Sequence, residues 1–121
     1  MFTWSIRMCF QDVDAEGIVY HANYLKYAER ARTDWIYTLG LSNAGIMAEG
    51  VALVLRHIEV DYMAPAQLDD ILTLNVRILE VRNASMIIEQ IASVDGKLKC
   101  KMVMQIAAVN KETLRPTRLS V

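Results

Sequence analysis

The chain has 121 residues, of which 54% are hydrophobic and 22% charged. That balance excludes a disordered polypeptide and suits one domain, over residues 1–121, with a core that needs no disulfides. Thirteen Lys and Arg against fourteen Asp and Glu leave a net charge of −1, which argues against a dedicated nucleic-acid binder.

No run nears the ~18 apolar residues of a membrane span. Arg7 and Asp12 interrupt any leader-like stretch, so no signal peptide or transmembrane segment is expected and the protein reads as cytoplasmic. Phe2, Trp4, Ile6, Met8 and Phe10 alternate with Thr3, Ser5, Arg7, Cys9 and Gln11, the period of a half-buried strand. Residues 12–21 break that period and contain Gly17, which predicts a loop. From Ala22 to Leu39 the period turns helical. Leu25, Ala28, Ala31 or Arg32, Trp35 and Leu39 fall near one face, and Gly40 supplies the stop. Ser42 or Asn43 is placed to cap a short helix over 44–49.

Strands are expected over 53–62, 72–78, 85–94 and 97–110. Ala64-Pro65-Ala66 bends the chain after the first of these, because Pro cannot donate to a ladder. Asp95-Gly96 joins the last two as a hairpin signal. Cys9 and Cys100 lie in alternating apolar runs and read as core thiols of a reducing compartment. The order predicts an α+β fold, a long central helix against a five-stranded, mostly antiparallel sheet. One helix covers one face. On the other, Leu55, Ile87, Ile91, Val103 and Val109 predict burial by a second subunit.

Charge is uneven along the chain. Residues 97–121 hold Lys97, Lys99, Lys101, Lys111, Arg115 and Arg118 against Glu112 alone. Two readings compete, a solvated strand face or a field that draws an anionic ligand such as a phosphate.

Chemistry concentrates in residues 12–24. Asp12 and Asp14 stand where a strand ends, Gly17 follows, and a helix begins near His21–Asn23. A helix N-terminus offers unpaired N–H groups and a partial positive charge, donors able to stabilise an oxyanion forming on a carbonyl. A carboxylate nearby can attack that carbonyl or take a proton from water. Loop aspartates also form Asx turns, and that role competes at both positions. Only His21 and His57 are present as histidines and neither cysteine has ligand spacing, so no metal site is expected.

The run Phe10-Gln11-Asp12-Val13-Asp14-Ala15-Glu16-Gly17-Ile18-Val19-Tyr20-His21-Ala22-Asn23-Tyr24, continuing through Leu25-Lys26-Tyr27-Ala28-Glu29-Arg30-Ala31-Arg32, resembles the signature of hot-dog-fold acyl-CoA thioesterases. The type is that named for 4-hydroxybenzoyl-CoA thioesterase, nearest its Tol–Pal-associated, YbgC-like branch. Val60-Asp61-Tyr62-Met63-Ala64-Pro65-Ala66 with Asp69-Asp70, and Arg82 with Ser85, extend the similarity over nearly the whole chain.

The resemblance implies a hot-dog fold, with a helix wrapped by an antiparallel sheet, in homodimers that also pair into homotetramers. Active sites lie at the dimer interface. It implies an acyl-CoA thioester as substrate, with acyl carrier protein as the alternative carrier, and no cofactor apart from the coenzyme A of the substrate. Asp14 becomes the catalytic nucleophile or general base, and the backbone N–H groups of His21 and Ala22 the oxyanion donors. Arg82 and Ser85 fall in the phosphate-contact region.

Asp12 reads as a turn or supporting residue. Gly17 supplies either a turn conformation or close approach by substrate, and Tyr20 and Tyr24 either line the acyl pocket or pack the helix start. Two rivals remain. His21 with Glu29 would suit a hot-dog hydratase or dehydratase, although Glu29 also stands at ion-pair spacing from Lys26 and Arg32. The other rival is a non-catalytic acyl-CoA or acyl-carrier binding module.

Overall fold

The computed structural model describes residues 2–119. β6 (Lys97–Asn110) is the spine of the sheet. Asp95 and Gly96, both at positive φ, turn it back antiparallel on β5 (Ser85–Val94). Its other edge carries β2 (Val51–Tyr62). Beyond β5 lie β3 (Ile71–Asn75) and β1 (Thr3–Arg7), giving the order β1-β3-β5-β6-β2.

The stretch expected as one strand over 72–78 is divided at Val76 into β3 and β4 (Arg77–Val81), so the sheet has six strands rather than five. Its register on β5 is nevertheless continuous, with Leu74 opposite Ala92 and Arg77 opposite Glu89. At the break the Asn75 Oδ1 accepts from the Ile91 N–H at 2.6 Å, a side chain standing in for a ladder carbonyl. All pairings among the described strands are antiparallel.

The long helix α1 (Asn23–Thr38) covers one face of this sheet. Ala28 and Ala31 are fully buried and admit the close approach their size predicts. The stripe is rotated from the expected one: Tyr24 and Tyr27 are buried, whereas Leu25 and Leu39, expected on the inner face, are exposed. The cause is polar. The Tyr27 hydroxyl finds a carboxylate inside, which lets a large ring occupy the core with its polar tip satisfied. Ser42 caps α2 (Asn43–Ala48), accepting from the Gly45 N–H at 3.0 Å. No helix among the described residues is long and apolar enough to cross a membrane.

Three further expectations are corrected. The first strand ends at Arg7 rather than running to Gln11, because residues 10–12 wind into a 3-10 turn; Phe10 is left 83% exposed. Cys9 is exposed at the start of that turn, not a core thiol, whereas Cys100 is buried and its pKa is pushed up to about 12 by burial. Val109 is covered by the chain's own tail, which pairs through Asn110 N–H to Arg115 O (2.8 Å) and Thr117 N–H to Ala108 O (2.9 Å). Leu55 is exposed, and Ile87, Ile91 and Val103 are half-buried.

Candidate active site

Residues 12–20 form a tight hairpin ahead of α1. Val13 bridges Val19, Asp14 N–H donates to Ile18 O at 2.9 Å, and Gly17 N–H donates to Asp14 O at 3.0 Å. Gly17 has φ +78°, and a Cβ there would meet nothing within 4 Å. Conformation, not a crowding neighbour in this chain, therefore demands glycine. The hairpin is stitched to the segment after β2, with Val19 N–H on Ala66 O (2.8 Å) and Leu68 N–H on Gly17 O (3.1 Å). Asp70 Oδ2 holds that segment's turn by accepting from Gln67 N–H at 2.8 Å. The two parts of the sequence signature are thus one hydrogen-bonded unit.

The two aspartates have different surroundings. Asp12 is buried and accepts from Cys9 N–H (2.8 Å), Cys9 Sγ (3.1 Å) and the Tyr27 hydroxyl (2.5 Å). Burial pushes its pKa up, but the bonds from Cys9 and Tyr27 outweigh it and hold the carboxyl below its ordinary value. Its backbone oxygen also accepts from Tyr20 N–H at 3.1 Å and Asn23 Nδ2 at 2.9 Å. Asp12 is the anchor of the helix start. Asp14 is exposed. Its Oδ1 accepts from Glu16 N–H at 2.9 Å in an Asx turn, and its Oδ2 bonds to no group among the described residues, so one carboxylate oxygen is open.

Ala22 is the N-cap of α1 and supplies no side-chain cap, in contrast to Ser42 on α2. Asn23 N–H reaches Tyr20 O at 2.9 Å, but the N–H groups of His21 and Ala22 have no acceptor among the described residues. Tyr62, at the end of β2, donates its hydroxyl to His21 O at 2.8 Å. The Tyr20 ring is 4.5 Å from that of His21, and the buried Tyr24 ring lies 5.8 Å from Tyr62. Burial pushes the Tyr24 hydroxyl up to about 12. Tyr20, half exposed, and Tyr24, buried, therefore flank the helix start in different ways.

A cavity of about 660 Å³ opens beside Ala22 and runs along α1 toward α2 and β2, lined among others by Leu25, Glu29, Arg32, Ile46 and Leu53. His21 and Glu29 share no hydrogen bond among the described residues. Arg82 and Ser85 meet through Arg82 N–H on Ser85 O (2.7 Å), but their side chains part. The Ser85 hydroxyl is buried against Gln105 Nε2 (3.3 Å), while the Arg82 guanidinium is half exposed and paired with Glu80 at 2.9 Å. Lys101 lies 3.8 Å from Glu89. Arg32, expected at ion-pair spacing from Glu29, forms no ion pair among the described residues and instead donates to Gln90 and Met104. Tyr62, named only within the signature run, likewise bonds to a residue far away in sequence.

A helix laid on an antiparallel sheet, with its uncapped N-terminus beside a carboxylate-bearing hairpin, is the hot-dog architecture of thioesterases. The chain belongs to the thioesterase-like superfamily, which it matches over residues 9–120. It is 36% identical over 120 residues to the acyl-CoA thioester hydrolase YbgC of Escherichia coli, covering 98% of this chain and 90% of that protein. It is 33% identical over 116 residues to the acyl-CoA thioesterase YbgC of Haemophilus influenzae, covering 95% of this chain and 85% of that protein. The crystal structure of a probable thioesterase from Bartonella henselae matches with a TM-score of 0.90 at 32% identity over 97% of each chain.

Proposed function

We propose that this protein hydrolyses acyl-CoA thioesters to free acid and coenzyme A at the start of α1. The observation that carries the reading is that the hairpin bearing Asp14 runs directly into the unbonded peptide N–H groups of His21 and Ala22 at the start of α1, where Ala22 also lines a cavity. The thioester oxygen accepts from those N–H groups, whose bonds strengthen as negative charge develops on it. Glu16 N–H steadies the Asp14 carboxylate and leaves Oδ2 free to act. Either Oδ2 attacks the carbonyl carbon, expelling the coenzyme A thiolate and leaving an anhydride that water cleaves, or it takes a proton from the water that attacks directly. Arg82 meets a coenzyme A phosphate by exchanging Glu80 for it; Ser85, turned inward, takes no part.

The twelve-residue β2 forms one end of the sheet order and exposes Val54, Leu55 and Tyr62. A long apolar edge of this kind is a template for strand pairing. A second copy paired there covers Leu55 and brings two such sites together in the homodimer.

Glu29 on the cavity wall favours a second reading, hydration of an enoyl thioester with His21. Thiol release from a panel of acyl-CoA esters, followed with a thiol reagent beside the ultraviolet absorbance of an enoyl-CoA, separates the two. Saturable thiol release supports the proposal. Loss of enoyl absorbance without thiol release, or binding without either, contradicts it.

A further inference from the structure

The cavity beside Ala22 is not wholly apolar. Arg32 lines it and is half-buried. Only Nη1 is engaged, donating to Gln90 Oε1 at 3.0 Å and to Met104 Sδ at 3.1 Å. Gln90 is fully buried and spends its amide Nε2 on Ala28 O at 3.0 Å, so it is held fast and in turn fixes the guanidinium plane.

Among the described residues no carboxylate lies within ion-pair distance of Arg32, and Nε and Nη2 have no partner. Burial lowers the guanidinium's pKa, and Glu29, one turn earlier on α1, opposes that only at longer range. Nε and Nη2 are unpartnered but not sealed from solvent, so these donors are open to a group that enters the cavity, and an anion there would gain a charge-assisted bond. A pocket for plain hydrocarbon would be better lined there by Leu or Met. What the site lacks is an anionic oxygen facing the free edge of a preoriented fork of N–H donors.

We propose that Arg32 selects acyl groups that carry a carboxylate at their far end, bound by its free Nε and Nη2 edge. The proposal rests on the reading of this cavity as the acyl site. Ten residues of helix separate Ala22 from Arg32, about 15 Å, and helical side chains lean back toward the N-terminus. The carboxylate therefore lies nearer than that to the thioester carbon, within reach of an acyl chain of short to medium length.

The test compares suberoyl-CoA with octanoyl-CoA, which have the same chain length with and without the terminal carboxylate. Binding of their non-hydrolysable thioether analogues is measured by calorimetry, and hydrolysis of the esters by thiol release. The wild-type protein is expected to bind the carboxylate-ended analogue roughly tenfold more tightly, and Arg32→Met to abolish or reverse that preference. If Arg32→Met does not fold, Arg32→Met/Gln90→Leu removes donor and acceptor together. Equal binding of the two analogues, a wild-type preference for the methyl-ended one, or no binding of either overturns the proposal. A clear preference with no thiol release from either ester upholds Arg32 and overturns the hydrolase reading instead.

Discussion

The Tyr62 hydroxyl donates to the carbonyl oxygen of His21 at 2.8 Å, and that carbonyl belongs to the same peptide unit as the N–H of Ala22. A donor on the oxygen end fixes the plane of the peptide and polarises its N–H toward the opposite side. Under the proposed mechanism Tyr62 is thus a positioning residue for the oxyanion donors. Tyr62→Phe should lower kcat about tenfold, the worth of one hydrogen bond expressed in the transition state, with KM and melting temperature close to wild type because the ring is half exposed. An unchanged kcat would reduce the contact to packing.

The buried, triply bonded Asp12 carboxylate is expected to contribute to stability rather than to the chemical step. Asp12→Asn replaces an acceptor-only carboxylate by an amide that brings N–H donors toward Cys9 and Tyr27. A loss of about 2 kcal/mol is expected, in the range for hydrogen bonds to charged groups, read from urea midpoints at neutral pH.

The same carboxyl gives stability a defined pH dependence. Its folded pKa is depressed below the ordinary value of 3.8, so its contribution is fully present above that value and is lost as pH falls through the lower, folded one. Urea midpoints should therefore fall more steeply in acid for the wild type than for Asp12→Asn. Parallel curves would show that Asp12 is not the group responsible.

Gly17→Ala should cost about 1–2 kcal/mol, since φ +78° disfavours a Cβ even where space for it exists. Gly17→Asn should recover part of the loss, because Asn tolerates the left-handed region better. Thermal melts of the pair decide between conformational demand and crowding: recovery in Asn supports the former, and a larger loss the latter.

Local rules were legible where neighbours in sequence are neighbours in space. Asp95-Gly96 makes its hairpin, Ser42 caps α2, and small Ala28 and Ala31 meet the sheet. Alternation through Phe10 misled because Asp12 reaches back to Cys9 and winds the chain into a turn, a bond that periodicity does not register. The rotation of α1 follows from the Tyr27–Asp12 bond, and the divided strand coincides with an Asn75 side chain bonded to Ile91. At the site, the hairpin and helix start were readable as one short motif. The contacts on which the proposed roles of Tyr62 and Arg32 rest reach partners 41 and 58 residues away, and no local pattern contains them.

The most direct measurement is the kcat/KM for thiol release by Asp14→Asn, taken beside its melting temperature. Asn keeps an Oδ1 able to accept from Glu16 N–H, so the Asx turn and the fold should survive. Loss of the nucleophile or base predicts a fall of at least roughly 100-fold with an unchanged melt. Turnover near wild type in the folded variant would contradict the account.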